Sequence, residues 1–260
     1  MQNVTIIVKT MLRPASLERL LRSIRHFYAN VPILIGDDHP ASDGPAEEPI
    51  SPHTTYCRLP HDCGLSAGRN LLVDKVQTPY TMVVDDDFEF IDSTKIEKLL
   101  ACVEQASLDL VAGWLIIGSH KQGDWRKLGT VEKFAGLFKR DGERLVCEIG
   151  QHEEKQVLWM GHKLLCQVVD VVLNFFVART ESLKNVRWDV ELKLGEHVDF
   201  FLRAQNKVKI GVCGEVIGLH HPNTPPDYLS LRNRLMEYQM MFMRNHGLQS
   251  LEFVPALEWF

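Results

Sequence analysis

Val83-Val84-Asp85-Asp86-Asp87-Phe88 holds the densest chemistry in the chain, three acids directly after an apolar run. Three carboxylates in that place serve no packing purpose. If the run is a strand of an open α/β sheet, they emerge at its carboxyl end, where ligands bind. Side chains alternate along a strand, so Asp85 and Asp87 point the same way and form a D-x-D pair able to hold one hard divalent cation. Magnesium or manganese prefers such oxygen ligands and bridges to substrate phosphates. The bland alternative is a solvated acidic turn, or a cap for a helix starting near Ser93.

Four other stretches offer chemistry. Asp37-Asp38 also follows an apolar run, where a carboxylate either closes an Asx turn or accepts hydrogen bonds from a nucleotide base. Gly64-Leu65-Ser66-Ala67-Gly68-Arg69-Asn70 brings glycines to a helix start, with Arg69 able to pair with a phosphate. The same residues match G-x-S-x-G, the nucleophile elbow of α/β hydrolases, and Asp199 and His220 follow in Ser–Asp–His order. That elbow needs its serine straight off a strand, yet Pro60-His61-Asp62-Cys63 intervenes, and a hydrolase leaves the acids at 85–87 without a task. Gly195-Glu196-His197-Val198-Asp199 opens an apolar helix, so both acids sit in its first turn, as caps or as a source of a general base. His197 reads rather as a hydrogen-bonded packing residue. His220-His221 ends a strand-like stretch ahead of a proline-rich loop and offers a further metal ligand.

Positioning these groups takes strands that end on one side. Residues 4–8, 31–35, 54–59 and 80–84 read as strands. Ser16 reads as the N-cap of a helix whose Leu17, Leu20, Leu21, Ile24 and Phe27 recur at helical spacing. A loop running into a helix over 64–76, a helix over 94–104 and a strand over 108–112 continue the alternation, which implies a mostly parallel α/β sheet covered on both faces. The proline-rich stretch 39–53 reads as a loop. The second half is mixed: Asp141-Gly142 between strand-like arms predicts a hairpin over 138–145. Residues 168–178 are a long apolar run, 198–204 a short helix, 208–212 a strand, 223–226 a loop and 228–245 a helix.

The chain has 260 residues, with 29 Lys+Arg against 34 Asp+Glu and a net charge of −5. That length buries a full core, and the acidic balance argues against nucleic-acid binding. No window approaches ~18 uncharged apolar residues, so no membrane-spanning helix is expected. Residues 1–10 lack the basic start of a signal peptide. None of the six cysteines has C-x-x-C spacing, which argues against a thiolate zinc site or redox pair. Cys102 and Cys166 read as small buried hydrophobes, a usage that suits a reducing compartment.

In type and order these stretches resemble the nucleotide-sugar-dependent glycosyltransferases of the GT-A fold, and among them the ganglioside-type β-1,4-N-acetylgalactosaminyltransferases. The resemblance is carried by Lys9-Thr10 with Arg13, Asp37-Asp38, Ala67-Gly68-Arg69-Asn70-Leu71, Val84-Asp85-Asp86-Asp87-Phe88, Leu108-Asp109-Leu110-Val111 and Asn174-Phe175-Phe176 with Ala178-Arg179-Thr180. His197, the acid at 199, Phe200-Phe201, Val212-Cys213 and His220 continue it. Residues 61–66 depart from the aromatic-containing segment of that family, which leaves the donor sugar open.

The resemblance implies a UDP-sugar donor, a Mn²⁺ or Mg²⁺ cofactor, and inverting transfer of GalNAc or another HexNAc or hexose to a hydroxyl of a glycan or glycolipid. Asp38 would contact the uracil, Asp85 the ribose or the metal, and Asp87 with His220 the metal on the diphosphate. Arg69 and Asn70 would line the donor pocket, with Thr10, Arg13 and Asp86 also on the nucleotide. Asp199 matches an acidic family position one helical turn from Glu196 and is the leading base, with Glu196 next. The implied organisation is one domain over 1–260: a nucleotide-binding half (1–113), an acceptor and catalytic half (114–221), and a lid loop and helix (222–260). The implied setting is a microbial cytoplasm, or the Golgi lumen for an excised catalytic domain, with peripheral membrane contact left open. A serine esterase using Ser66 and a non-catalytic glycan-binding module are the competing functions.

Overall fold

The computed structural model describes residues 2–39, 47–117, 131–132, 134–150, 153–223, 225–226, 229 and 233–255. Strand β1 (Val4–Thr10) is buried along its whole length, as its β-branched run requires of a strand covered on both faces. It pairs in parallel with β2 (Ile33–Asp37) on one side and with β5 (Tyr80–Asp85) on the other. β2 in turn pairs in parallel with β4 (Thr54–Arg58), and β3 (Glu47–Ser51) closes that edge antiparallel to β4. The chain therefore runs outward from β1 through β2 and β4, then returns to the opposite side of β1 at β5. That reversal is a topological switch point, and the carboxyl ends of β1, β2 and β5 meet there. The register places Lys9 beside Asp85 and Thr10 beside Asp37.

Beyond β5 the sheet turns mixed. β14 (Phe176–Arg179) lies antiparallel between β5 and β7 (Leu110–Ile117), and β15 (Ile210–His220) runs parallel to β7. The hairpin β11 (Glu154–Trp159)–β12 (His162–Val169) forms the far edge against β15. Two short strands, β6 (Phe88–Glu89) on β15 and β8 (Val131–Glu132) on β7, complete this sheet. A second sheet joins β13 (Val171–Val172), β9 (Ala135–Asp141), β10 (Arg144–Ile149) and β16 (Ser250–Pro255). The hairpin that Asp141-Gly142 predicts is formed by β9 and β10, with Gly142 and Glu143 as its two turn residues between the paired Asp141 and Arg144.

Strand alternation divides the core into two clusters. Ile6, Val8, Met82 and Val84 pack with Leu20 and Ile24 of α1 (Pro14–Phe27) and Leu99 and Val103 of α3 (Ile96–Gln105). Ile7 and Val83 pack on the other face with Leu72 and Val73 of α2 (Gly64–Lys75) and Leu183 of α4 (Thr180–Val186). Phe200 and Phe201 of α5 (Glu196–Ala204) and Phe242 of α6 (Leu235–Asn245) join that second cluster.

Some expectations need correction. Part of the stretch read as a loop over 39–53 is strand β3, at the edge of the sheet, where a proline such as Pro49 is tolerated; residues 40–46 lie outside the described residues. The apolar run 168–178 is broken by Asp170, whose carboxylate accepts from the Phe138 amide at 2.8 Å and so ends β12. The strand read over 208–212 continues to His220 past an irregularity between Val212 and Ile217. The helix read over 228–245 is described from Leu235; residues 227–228 and 230–232 lie outside the described residues. Cys102 and Cys166 are fully buried as expected, but their sulfurs form a disulfide joining α3 to β12.

Candidate active site

Because β5 ends at Asp85, the next two acids turn in opposite directions. Asp86 is fully buried and accepts from Thr10 Oγ1 at 2.6 Å and from Arg13. Burial pushes its carboxyl up to about 7, against the pull of Arg13 and the Thr10 hydroxyl. Asp85 and Asp87 both line the cleft, as the alternation predicts. Asp87 receives Arg13 Nη1 at 2.7 Å and faces His220 Nε2 at 3.6 Å. Burial raises its carboxyl, but the hydrogen bond from His220 and the Arg13 charge outweigh that and hold it below the usual range. His220 reaches Asp87 because β6 pairs with the end of β15, setting His220 opposite Phe88. His221 turns away to Glu89 at 2.7 Å, so only the first histidine of the pair serves this cleft.

The opposite wall comes from α2 and α5. Arg69 is 2% exposed and donates to Asp85 Oδ1 at 2.8 Å and to Glu196 Oε1, bridging the two elements. One residue earlier, a Cβ on Gly68 would lie 2.7 Å from Lys9 Cδ, so a glycine is needed for the Lys9 stem to pass. Lys9 then pairs with Asp38, whose other oxygen accepts the Gly64 amide at 3.0 Å. Gly64 itself holds φ +83 with Lys193 Cβ 2.6 Å from where its own Cβ would stand, a second position that only glycine fits.

Three clefts adjoin at the ends of these strands. The first, about 310 Å³, is lined by Arg13, Asp85, Asp87, Asn174, His197 and His220 among others. The second, about 230 Å³, shares Asp85, Asn174 and His197 and adds Arg69, Glu196 and Leu235. The third, about 40 Å³, is lined by Lys9, Thr10, Arg13, Asp38, Arg234 and Tyr238 with their neighbours. Thr10, Arg13, Asp38, Arg69, Asp85, Asp86, Asp87, Glu196 and His220 are thus gathered in or directly behind one composite cleft. Asp85, Asp87 and His220 line the same cleft, and two carboxylates and an imidazole are donor types that suit Mn²⁺ or Mg²⁺, although among the described residues their ligand atoms are not gathered within 4.8 Å of one another.

Two sequence-predicted residues stand apart. Asn70 donates to the Trp188 carbonyl at 2.8 Å and accepts its amide at 3.0 Å, so both ends of the side chain clamp that segment and it lines none of these clefts. Asp199, 1% exposed, takes Arg203 Nε and His246 Nε2, each at 2.8 Å; it ties α5 to α6 and lines none of them either. Ser66 is fully buried in α2 and donates to the Leu192 carbonyl at 2.6 Å, so the serine-esterase alternative has no exposed nucleophile. Sequence reasoning missed Asn174 as the partner of His197, at 3.1 Å from Nδ1, and Arg234 and Tyr238 as cleft walls. Burial lowers the His197 imidazole to about 4, against the pull of Glu196, so it is neutral at pH 7.

Residues 5–162 match the family model described as Glycosyl transferase family 2. Over 217 residues the chain is 39% identical to β-1,4 N-acetylgalactosaminyltransferase 1 of Rattus norvegicus, covering 84% of this chain and 38% of that protein. It is 32% identical over 267 residues to β-1,4 N-acetylgalactosaminyltransferase 2 of Mus musculus, covering 99% of this chain and 46% of the relative. The chain thus spans less than half the length of these curated relatives. Among solved structures, residues 1–349 of S. aureus TarS in complex with UDP-GlcNAc superpose with a TM-score of 0.58 at 15% identity, covering 93% of this chain and 65% of that one. The UDP complex of the same protein gives 0.56 at 16% identity, covering 93% and 66%. The fold is of the GT-A type. No helix among the described residues is long and apolar enough to cross a membrane.

Proposed function

The chain belongs to glycosyl transferase family 2, and we propose that it transfers a sugar, an N-acetylhexosamine in the first instance, from a UDP-sugar to a hydroxyl of a glycan or glycolipid, with inversion at the anomeric carbon. The observation that carries this reading is the composite cleft at the switch point. There Asp85, Asp87 and His220 face the same space as the Arg69–Glu196 pair. The names of the relatives support an N-acetylhexosamine, and the UDP-GlcNAc and UDP complexes of TarS support a uridine-diphosphate donor.

In this reading Asp38 and Lys9, with Thr10 and Arg13, form the nucleoside side of the cleft. Asp85, Asp87 and His220 would hold Mn²⁺ or Mg²⁺, which when bound supplies charge stabilisation to the departing diphosphate. Asp86 orients Arg13 and Thr10 from behind. Of the two acids opening α5, Glu196 lines the cleft and Asp199 does not, which supports Glu196 as the group that would accept the proton of the acceptor hydroxyl. Asp199 positions it by anchoring α5 to Arg203 and His246. The loop after β15 approaches the mouth, where the Asn223 carbonyl accepts from Arg13 at 3.4 Å; this loop would form part of the lid that excludes water. Thr224 in the same loop lies outside the described residues. A screen of UDP-sugars by UDP release, with Mn²⁺ and a panel of glycoside acceptors, tests the proposal. Acceptor-dependent UDP release supports it; a chain that neither binds nor turns over any UDP-sugar refutes it.

A further inference from the structure

A second groove lies on the open face of the sheet, at the edge away from the nucleotide side. Alternation along β12 sends Leu164 and Cys166 into the core and leaves Lys163, Leu165 and Gln167 on the outer face. Gln156 of β11 stands opposite Leu165, and Trp114 of β7 and Gly214 of β15 complete a groove of about 480 Å³. A Cβ on Gly214 would lie 3.0 Å from Trp114 Nε1, so the glycine leaves room for the indole edge. Among the described residues the Trp114 N–H has no acceptor, and Leu165 is 42% exposed.

A half-buried indole beside amide side chains suits one class of ligand. A pyranose ring has an apolar C–H face that rests on an aromatic plane and a rim of hydroxyls that meets amides and N–H donors. Trp114 and Ile217, paired in the β7–β15 register, lie three residues before Ile117 and His220, about 10 Å along the strands, and that odd offset sets the indole on the sheet face opposite His220. The groove and the cleft have no lining residue in common. A ligand at Trp114 is therefore held apart from the reacting centre, as a distal part of a longer glycan would be.

We propose that this groove is a second saccharide-binding subsite, which holds part of the acceptor glycan remote from the reacting hydroxyl. The inference rests on the glycosyltransferase reading for the identity of the ligand as acceptor, but saccharide binding at Trp114 is measurable without turnover.

The test is the indole N–H resonance of Trp114 in ¹⁵N-labelled protein, assigned by its loss in Trp114→Phe. Lactose and triacetylchitotriose are titrated separately to millimolar concentration, with no nucleotide present. The inference expects at least one saccharide to move that resonance saturably, with affinity about fivefold weaker in the exposed-side-chain variant Gln156→Ala, the scale of one lost hydrogen bond. In a transfer assay Trp114→Phe then raises KM for the longer acceptor and leaves KM for a monosaccharide acceptor and kcat unchanged. A Trp114 resonance that neither saccharide moves, or movement equally strong in Gln156→Ala, overturns the subsite. Absence of UDP-sugar turnover with an intact Trp114 response would instead strike the transferase reading and leave the saccharide site standing.

Discussion

Replacing Arg69 by methionine removes the cation that bridges Glu196 and Asp85 in the cleft wall. The Arg69 and Glu196 side chains are 2% and 4% exposed, whereas Asp85 is 30% exposed. The methionine keeps most of the volume, so the effect is electrostatic rather than a cavity. Stranding Glu196 as a buried, unpaired carboxylate should destabilise the fold by about 3–5 kcal/mol, the scale for breaking one side of a buried ion pair. Solvent screens the Asp85 contact, whose share is held to about 1 kcal/mol or less. Urea unfolding at pH 7 measures the sum, and adding Glu196→Gln should recover most of the loss, because the stranded charge is then gone. The reasoning fails if Arg69→Met costs under about 1 kcal/mol, or if Glu196→Gln adds its own loss to that of Arg69→Met with no recovery.

Three further outcomes are expected. Glu196→Gln should lower turnover by about two orders of magnitude or more with UDP affinity retained, whereas Asp199→Asn should appear mainly as lost stability; transfer kinetics beside thermal melts separate the two. The Cys102–Cys166 link closes a loop with a sequence separation of 64, so Cys102→Ser should destabilise by about 4 kcal/mol, read by urea unfolding without reductant, while Cys213→Ala leaves the bridge in place. Asp86 has its folded value raised to about 7 from the ordinary aspartate value of 3.8, so its contribution to stability is full below the unfolded value and is lost as pH rises toward 7. Asp86→Asn should therefore flatten the pH dependence of stability across that window, where the wild-type slope is about 1.4 kcal/mol per pH unit for this group; an unchanged slope in the variant would contradict the assignment.

Much of the cleft wall at the ends of β1 and β5 was legible because it depends on local rules. Apolar runs followed by acids mark strand ends, and alternation separates Asp85 and Asp87 from Asp86 without any long-range information. The roles within α5 were less legible. Glu196 and Asp199 share the first turn, and what divides them is their partners: Arg69 from α2 for one, His246 after α6 for the other. Asn70 looked like a pocket residue by its motif, but Trp188, over a hundred positions later, claims both ends of its amide. The Cys102–Cys166 bridge was hidden for the same reason, since buried cysteines in apolar runs look alike until the sheet and α3 bring two sulfurs together.

The central claim is that UDP binds in the cleft through a cation held by Asp85, Asp87 and His220. Calorimetric titration of UDP into the protein with Mn²⁺, with EDTA, and in Asp87→Asn tests it most directly. The account predicts binding that needs the metal and is lost in Asp87→Asn, while circular dichroism shows that variant folded. UDP affinity that EDTA and Asp87→Asn both leave unchanged would contradict it.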